Sequence, residues 1–324
     1  MKRVITFIAA AVLAVSAASA VDSPSWDFSA TVDFAYYPKS EYIKGGTHFA
    51  PITGPYSGLE GRITGKANYT IPTPLGDNWL LNSANLVLQG NLELSPVSVM
   101  PGAEVKFTPL PFLVFSAGAQ AGTGWNLLGI RGMAGLNSTF EYDDITPFTS
   151  WFLKWYAQAT FQFDTGAIWP GDWTHFQIMY SYQVYYTMLS AKKDGEVWMW
   201  QAAGNRVNGL KNYQNLILAY QMPLILSRVG VLAEWDGYYS SNAFTNPLYK
   251  GDFCQVSISP MAQLSFTEKD TLSILLGFSS RRSFTTDHIR DAENKTNDRR
   301  ETSMTYDGYE WFFNRLALSY THTF

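Results

Sequence analysis

Residues 26–37 read WDFSATVDFAYY. Trp26, Phe28, Ala30, Val32, Phe34 and Tyr36 share one parity, and Asp27, Ser29, Thr31 and Asp33 share the other. Successive side chains leave a strand on opposite sides, so this alternation predicts a strand with one apolar and one polar face. A soluble sheet would turn the apolar face toward its core. A wall between lipid and water would turn it outward and the polar face toward a lumen.

The pattern recurs through the chain. In residues 59–71, LEGRITGKANYTI, the polar parity carries Glu60, Arg62, Thr64, Lys66 and Asn68. In residues 83–94, SANLVLQGNLEL, Leu86, Leu88, Leu92 and Leu94 oppose Asn85, Gln89, Asn91 and Glu93. It continues through GAEVKFT, FLVFSAGAQAG, SWFLKWYAQATFQFD, HFQIMYSYQVYY, YQNLILAYQM, RVGVLAEWDGYY, CQVSISPMAQLSF, TLSILLGFSS and FFNRLALSYTHTF. Twelve strands are predicted. Pro260 sits inside one of them and has no N–H for a ladder, so a bulge or a shortened strand is expected there.

Short and long links take turns between these strands. PTPLGDN, PLP, TGAIWPGD, MPL and TEKD are rich in turn-forming Pro, Gly and Asp. Residues 39–58, 123–150, 189–210, 240–251 and 282–310 form the long set, and 96–101 is a short link on the same side. Lipid offers backbone amides no partner, so a spanning sheet must close on itself. An even number of antiparallel strands with short turns at one end and long loops at the other fits that requirement. Tryptophans supply a second signal, since amphipathic aromatics collect at membrane–water boundaries. Trp26, Trp79, Trp169 and Trp173 fall at strand ends on the short-turn side, and Trp125, Trp151, Trp235 and Trp311 on the long-loop side.

Composition agrees. Aromatic residues make up 16% of the 324, charged residues only 15%, and net charge is −4, which points away from nucleic acid. The single cysteine, Cys254, excludes an intrachain disulfide. At the start, Lys2 and Arg3 precede an apolar run and Ala18-Ser19-Ala20, the order of a cleaved signal peptide over 1–20. Residues 21–324 are then expected to form one transmembrane β-barrel. The last strand places Leu316, Leu318, Tyr320 and Phe324 on one parity.

With its signal peptide, strand pattern and terminal Phe324, the chain resembles Gram-negative-type outer-membrane β-barrel proteins, with a general similarity to spirochaete outer-membrane proteins but no motif of one family. The resemblance implies a cell outer-membrane location and a lipid partner. It also implies that Leu316, Leu318, Tyr320 and Phe324 act as the insertion signal read by the barrel assembly machinery. His322 departs from the usual apolar residue at its place.

The inward candidates are Asp27, Asp33, Glu60, Glu93, Glu104, Asp164, Glu234 and Asp236, against Arg62, Lys66, Lys106, Lys154, Arg228, Arg281 and Arg315. Lining water, these charges would make a narrow passive channel for small hydrophilic solutes or ions. Paired across the interior, they would close it, leaving a structural or adhesive protein whose loops bind a partner. Small inward residues (Gly230, Gly277, Ala219, Ser257 and Ser279) are expected to leave space on one wall. The VWMW segment at 197–200 is expected to fold into the barrel mouth. Some twelve-strand outer-membrane barrels are phospholipases with a Ser–His–Asn arrangement, but His48, His175, His288 and His322 pair recognisably with no such serine, and no enzyme is expected. No cofactor is expected, and no metal site, since Asp287, His288, Asp291 and Glu293 show no recurring ligand spacing.

Overall fold

The computed structural model describes residues 23–38, 58–127, 130–137, 142–201, 203–289 and 301–324. The expected signal peptide, most of the 39–58 link, and Asp291 and Glu293 lie outside the described residues. Strands β1 (Ser25–Tyr37), β2 (Gly58–Pro72), β3 (Asn85–Ser95), β4 (Ser98–Leu110) and β5 (Leu113–Gly124) form the first part of the wall. Four short loop strands follow: β6 (Asn126–Leu127), β7 (Ile130–Arg131), β8 (Met133–Leu136) and β9 (Tyr142–Asp144). The wall resumes with β10 (Phe152–Asp164) and β11 (Phe176–Leu189), then gives way to loop strands β12 (Trp198–Trp200) and β13 (Ala203–Arg206). It is completed by β14 (Gly209–Gln221), β15 (Leu226–Tyr238), β16 (Gln255–Ser265), β17 (Asp270–Ile289) and β18 (Glu301–Thr323).

The long strands make a closed antiparallel barrel of twelve, in the order β1-β18-β17-β16-β15-β14-β11-β10-β5-β4-β3-β2. Closure is made by β1 on β18, where Phe34 faces Leu318, Val32 faces Tyr320 and Tyr36 faces Leu316. The Phe324 N–H donates to the Phe28 carbonyl at 2.9 Å, so pairing runs to the last residue. A closed ladder leaves no edge, which is what a sheet in hydrocarbon requires.

The two parities separate as the alternation predicts. On β1, Trp26, Phe28, Val32, Phe34 and Tyr36 are exposed on the outside, while Thr31 and Tyr37 are buried within. Leu59, Ile63, Leu88, Leu92, Val105, Phe115, Trp155, Phe161, Leu218, Val231, Ile258 and Leu276 extend the same outer belt around the barrel. Trp26, Trp169 and Trp173 are exposed toward the short-turn end, and Trp151 and Trp311 toward the long-loop end. Trp125 instead donates its indole N–H to the Pro96 carbonyl and stacks on Phe148. Trp79 begins a helical turn, Trp79–Asn82, and its side chain lies outside the described residues.

Two expectations need correction. Pro260 causes neither bulge nor shortening: it pairs with Val231 on β15, while on the β17 side the register is the same before and after it, Ile258 facing Phe278 and Met261 facing Leu275. The ladder tolerates it because its exposed ring points outward and only hydrogen bonds near Ser259 and Pro260 are forgone. The expected link at 282–310 is mostly strand. The β17–β18 ladder continues to Ile289 opposite Glu301, through register shifts at Gly277/Phe278 and Arg282/Phe284. Alternation decays there because the hairpin runs past the paired stretches of β16 and β1, so its two faces are no longer the two sides of a closed wall.

Candidate functional site

The barrel interior is layered. At the short-turn end, Gln177 donates to Asp164 (2.9 Å) and to Gln221 (2.8 Å), and Arg228 donates to Gln221 (3.3 Å) and Gln263 (3.2 Å). His175 pairs with Asp164 at 2.9 Å beneath this floor. Above it, Met179, Ile217, Ala219, Leu232, Met261 and Leu275 pack as one buried cluster with Ala317 beside them. These residues occupy the inward parity of six neighbouring strands, so one wall of the lumen is apolar at this height.

Next comes an arc of tyrosines and carboxylates. Tyr213 donates to Glu234 (2.6 Å), Tyr185 to Asp236 (2.7 Å), and Tyr156 to Glu104. Two lysines fit between the rings. Lys154 lies over Tyr156 and Tyr185, and Lys211 lies over Tyr185 and Tyr238 while pairing with Asp236 at 2.6 Å. Gly118 makes this arc possible, since a Cβ there would stand 2.6 Å from the Tyr156 hydroxyl. Cation–π contact and hydrogen bonding share the lysine charges among several partners, which lowers the cost of burying them.

Across the lumen the wall of β1 to β4 is charged. Arg62 bonds Asp33 (2.7 Å) and Glu93 (3.2 Å), and Ser319 donates to Asp33 (2.6 Å). Tyr37 donates to Glu60, and Asn68 donates to Asp27. Lys106 pairs with Glu104 at 3.0 Å, its side chain 37% exposed. Lys66 lies in the field of Lys106, Glu104 and Asp33. Arg281 pairs with Glu310 at 2.6 Å and lies over Phe312 nearer the mouth. The fifteen ionisable candidates thus face inward, most of them bound into pairs or networks.

The small inward residues differ in the space around them. A Cβ on Gly230 would stand 2.4 Å from the Leu218 carbonyl, and one on Gly277 3.1 Å from Arg315 Cγ. Ala219 belongs to the apolar cluster. Ser257 and Ser279 border a cavity of about 20 Å³. Large apolar residues on the same parity fill the gaps that the small ones open.

The mouth carries a lid. Loop strands from 125–151 and 190–208 form a four-stranded sheet in the order β13-β12-β8-β9. Trp198 is wholly buried, its indole N–H donating to Asn208 Oδ1 at 3.0 Å. Trp200 stacks on Phe152 at 4.7 Å, within a cluster that includes Met100, Met133 and Leu189. Gln201, held at φ 51°, donates to Ser98 Oγ (2.6 Å) and Glu93 Oε1 (3.3 Å) and so latches the lid to the charged wall.

The sequence reading does not single out Tyr156, Tyr185, Tyr213, Lys211, Gln201 or, Ala219 apart, the apolar cluster. All but Gln201 lie on the inward parity of their strands, so phase alone was the available signal. Lys211 lies two residues before the alternating YQNLILAYQM stretch, inside a strand that begins at Gly209.

No family model and no curated protein matches the chain. Among solved structures, an outer-membrane channel from Pseudomonas putida F1 is similar at 12% identity and TM-score 0.47, over 94% of this chain and 97% of that one. OprB of Pseudomonas putida gives 8% identity and TM-score 0.33, over 93% and 94% of the two chains. A FadL homologue of Pseudomonas aeruginosa gives 11% and 0.32, over 93% and 90%. Likeness at that level does not bear on what this lumen admits.

Proposed function

We propose that the chain is an outer-membrane channel, narrow and closed by its own lid, for small hydrophilic solutes or ions. The observation that carries this is the run of buried ionisable side chains from floor to lid. Replacing buried ion pairs with apolar residues of similar volume is often neutral or stabilising, so stability alone does not explain keeping them. A barrel that served only to mount loops would be expected to fill its whole interior as it fills the Met179–Leu275 patch. The exposed apolar belt supports a lipid environment, with Leu316, Leu318, Tyr320 and Phe324 on β18 as the surface offered to the assembly machinery. Pairing along the arc and the charged wall would be exchanged for contacts with water or solute during passage.

Conductance in planar bilayers tests this. The unmodified protein is expected to open rarely, and Trp200→Ala combined with Gln201→Ala to raise conductance or open time at least severalfold. Silence from both would refute the channel. It would favour a surface role, for which the β17–β18 hairpin beyond the rim is the specific observation.

A further inference from the structure

The lid is fastened in two different ways. Its root is tied by neutral groups: Asn208 Oδ1 accepts the Leu189 N–H (2.8 Å) and the Trp198 indole N–H (3.0 Å), and Asn208 Nδ2 donates to the Lys192 carbonyl (2.8 Å). Trp200 adds its stack on Phe152. The tip is tied by Gln201, whose backbone lies in the left-handed region that a residue with a Cβ seldom adopts unless its surroundings hold it there. Its N–H donates to the Gly132 carbonyl at 2.7 Å, and its amide reaches Ser98 Oγ and Glu93 Oε1. Here the lid ends on an ionised group.

Glu93 divides its carboxylate. Oε1 accepts from Gln201 of the lid, and Oε2 accepts from Arg62 Nη1. Arg62 also donates through Nε to Asp33 Oδ2, and Asp33 Oδ1 accepts from Ser319. Strand register builds this chain. Asp33 faces Arg62 on β2 and Ser319 on β18, while Glu93 faces Thr64, the next inward position after Arg62. The lid is thereby linked through β3, β2 and β1 to β18.

Arg62 balances the charge of Glu93 and fixes one of its oxygens, which aims the other at Gln201. Taking the cation from a buried carboxylate leaves a charge that burial penalises. The carboxylate is then expected to turn toward water and release Gln201, whose backbone can relax and carry the lid tip with it. We propose that Glu93 couples the lid to the ion-pair wall, so that the lid loosens at its Gln201 edge when Arg62 is drawn off Glu93. A charged solute entering along that wall and competing for either group would loosen the lid above it. As gating this rests on the channel reading; as a coupling between side chains it needs no conduction.

Met100 reports the position of the lid. It faces Glu93 across β3 and β4 and belongs to the buried cluster that seats Trp200. In a Met100→Cys/Cys254→Ser background, refolded at full length in micelles, the rate of labelling by a methanethiosulfonate reagent measures how often the lid uncovers that position. Arg62→Met is expected to raise the rate at least fivefold, Gln201→Ala to raise it as well, and Arg62→Lys to keep it within twofold. Added to Gln201→Ala, Arg62→Met is expected to contribute less than a further twofold, because the link it acts through is gone. No acceleration in Arg62→Met, or the same acceleration with and without Gln201, overturns the proposal; an Arg62 that merely supports the wall gives the second result. Should Arg62→Met not fold, Asp33→Asn decides. It weakens the competing carboxylate, leaves Arg62 more firmly on Glu93, and is expected to slow labelling at least twofold; an equal or faster rate overturns the coupling. Planar-bilayer recordings separate the two readings. Arg62-dependent labelling in a silent barrel keeps the coupling and removes the channel, whereas conduction with labelling indifferent to Arg62 does the reverse.

Discussion

Replacing Leu318 with arginine probes the premise that one parity faces lipid. Leu318 lies between Phe34 of β1 and Ile274 of β17 on the outer face. It stands six positions before Phe324 and seven after the exposed Trp311. A strand rise of ~3.3 Å at a tilt of ~40° advances ~2.5 Å per residue along the membrane normal. Leu318 is then about 15 Å from one boundary marker and about 17 Å from the other, close to the midplane of a ~25 Å apolar band. Arginine at that depth costs about 2–4 kcal/mol, a factor of roughly 30 to 700 in the folding equilibrium. Ser319→Arg is the control. Ser319 faces inward and donates to Asp33, beside which a new guanidinium would find a carboxylate already present. Its cost is expected to stay below about 1.5 kcal/mol, the scale of one net hydrogen bond. Urea unfolding in lipid vesicles, read by the heat-dependent gel shift of the folded barrel, measures both. Equal losses, or a larger loss for Ser319→Arg, would refute the assignment of faces.

Lys211→Met leaves the buried Asp236 carboxylate with Tyr185 but without its cation, and is expected to destabilise by about 3–5 kcal/mol; the same unfolding assay should show the double variant Lys211→Met/Asp236→Leu recovering most of that loss, and no recovery would argue against a pairwise interaction. Cys254 is exposed just ahead of β16 at the long-loop end, and partial desolvation of the thiol together with the nearby Asp236 carboxylate pushes it above the usual range. A membrane-impermeant maleimide is therefore expected to label intact cells slowly at neutral pH and faster as pH rises; labelling only after permeabilisation would invert the orientation.

Much of the wall was legible because lipid and water impose opposite demands on alternate residues. Asp27, Arg62, Glu93 and Lys154 announced their side by charge alone. Trp200 and Gln201 illustrate what was harder. The VWMW segment suggested an inward fold, yet nothing local identifies Glu93 and Ser98 as partners of Gln201, over a hundred residues away. Pro260 misled because the cost of a missing N–H depends on which neighbour goes unpaired.

The amino-acid order determined by itself that this chain builds a wall of alternating faces, and with it the strand number and the parity of most wall residues, because those depend on a period of two and on the solvent at each face. The register at which β1 closes on β18, the layering of the lumen and the lid seated over Phe152 were decided only by tertiary structure. Each depends on which side chains meet across the barrel, a distance that sequence spacing does not encode.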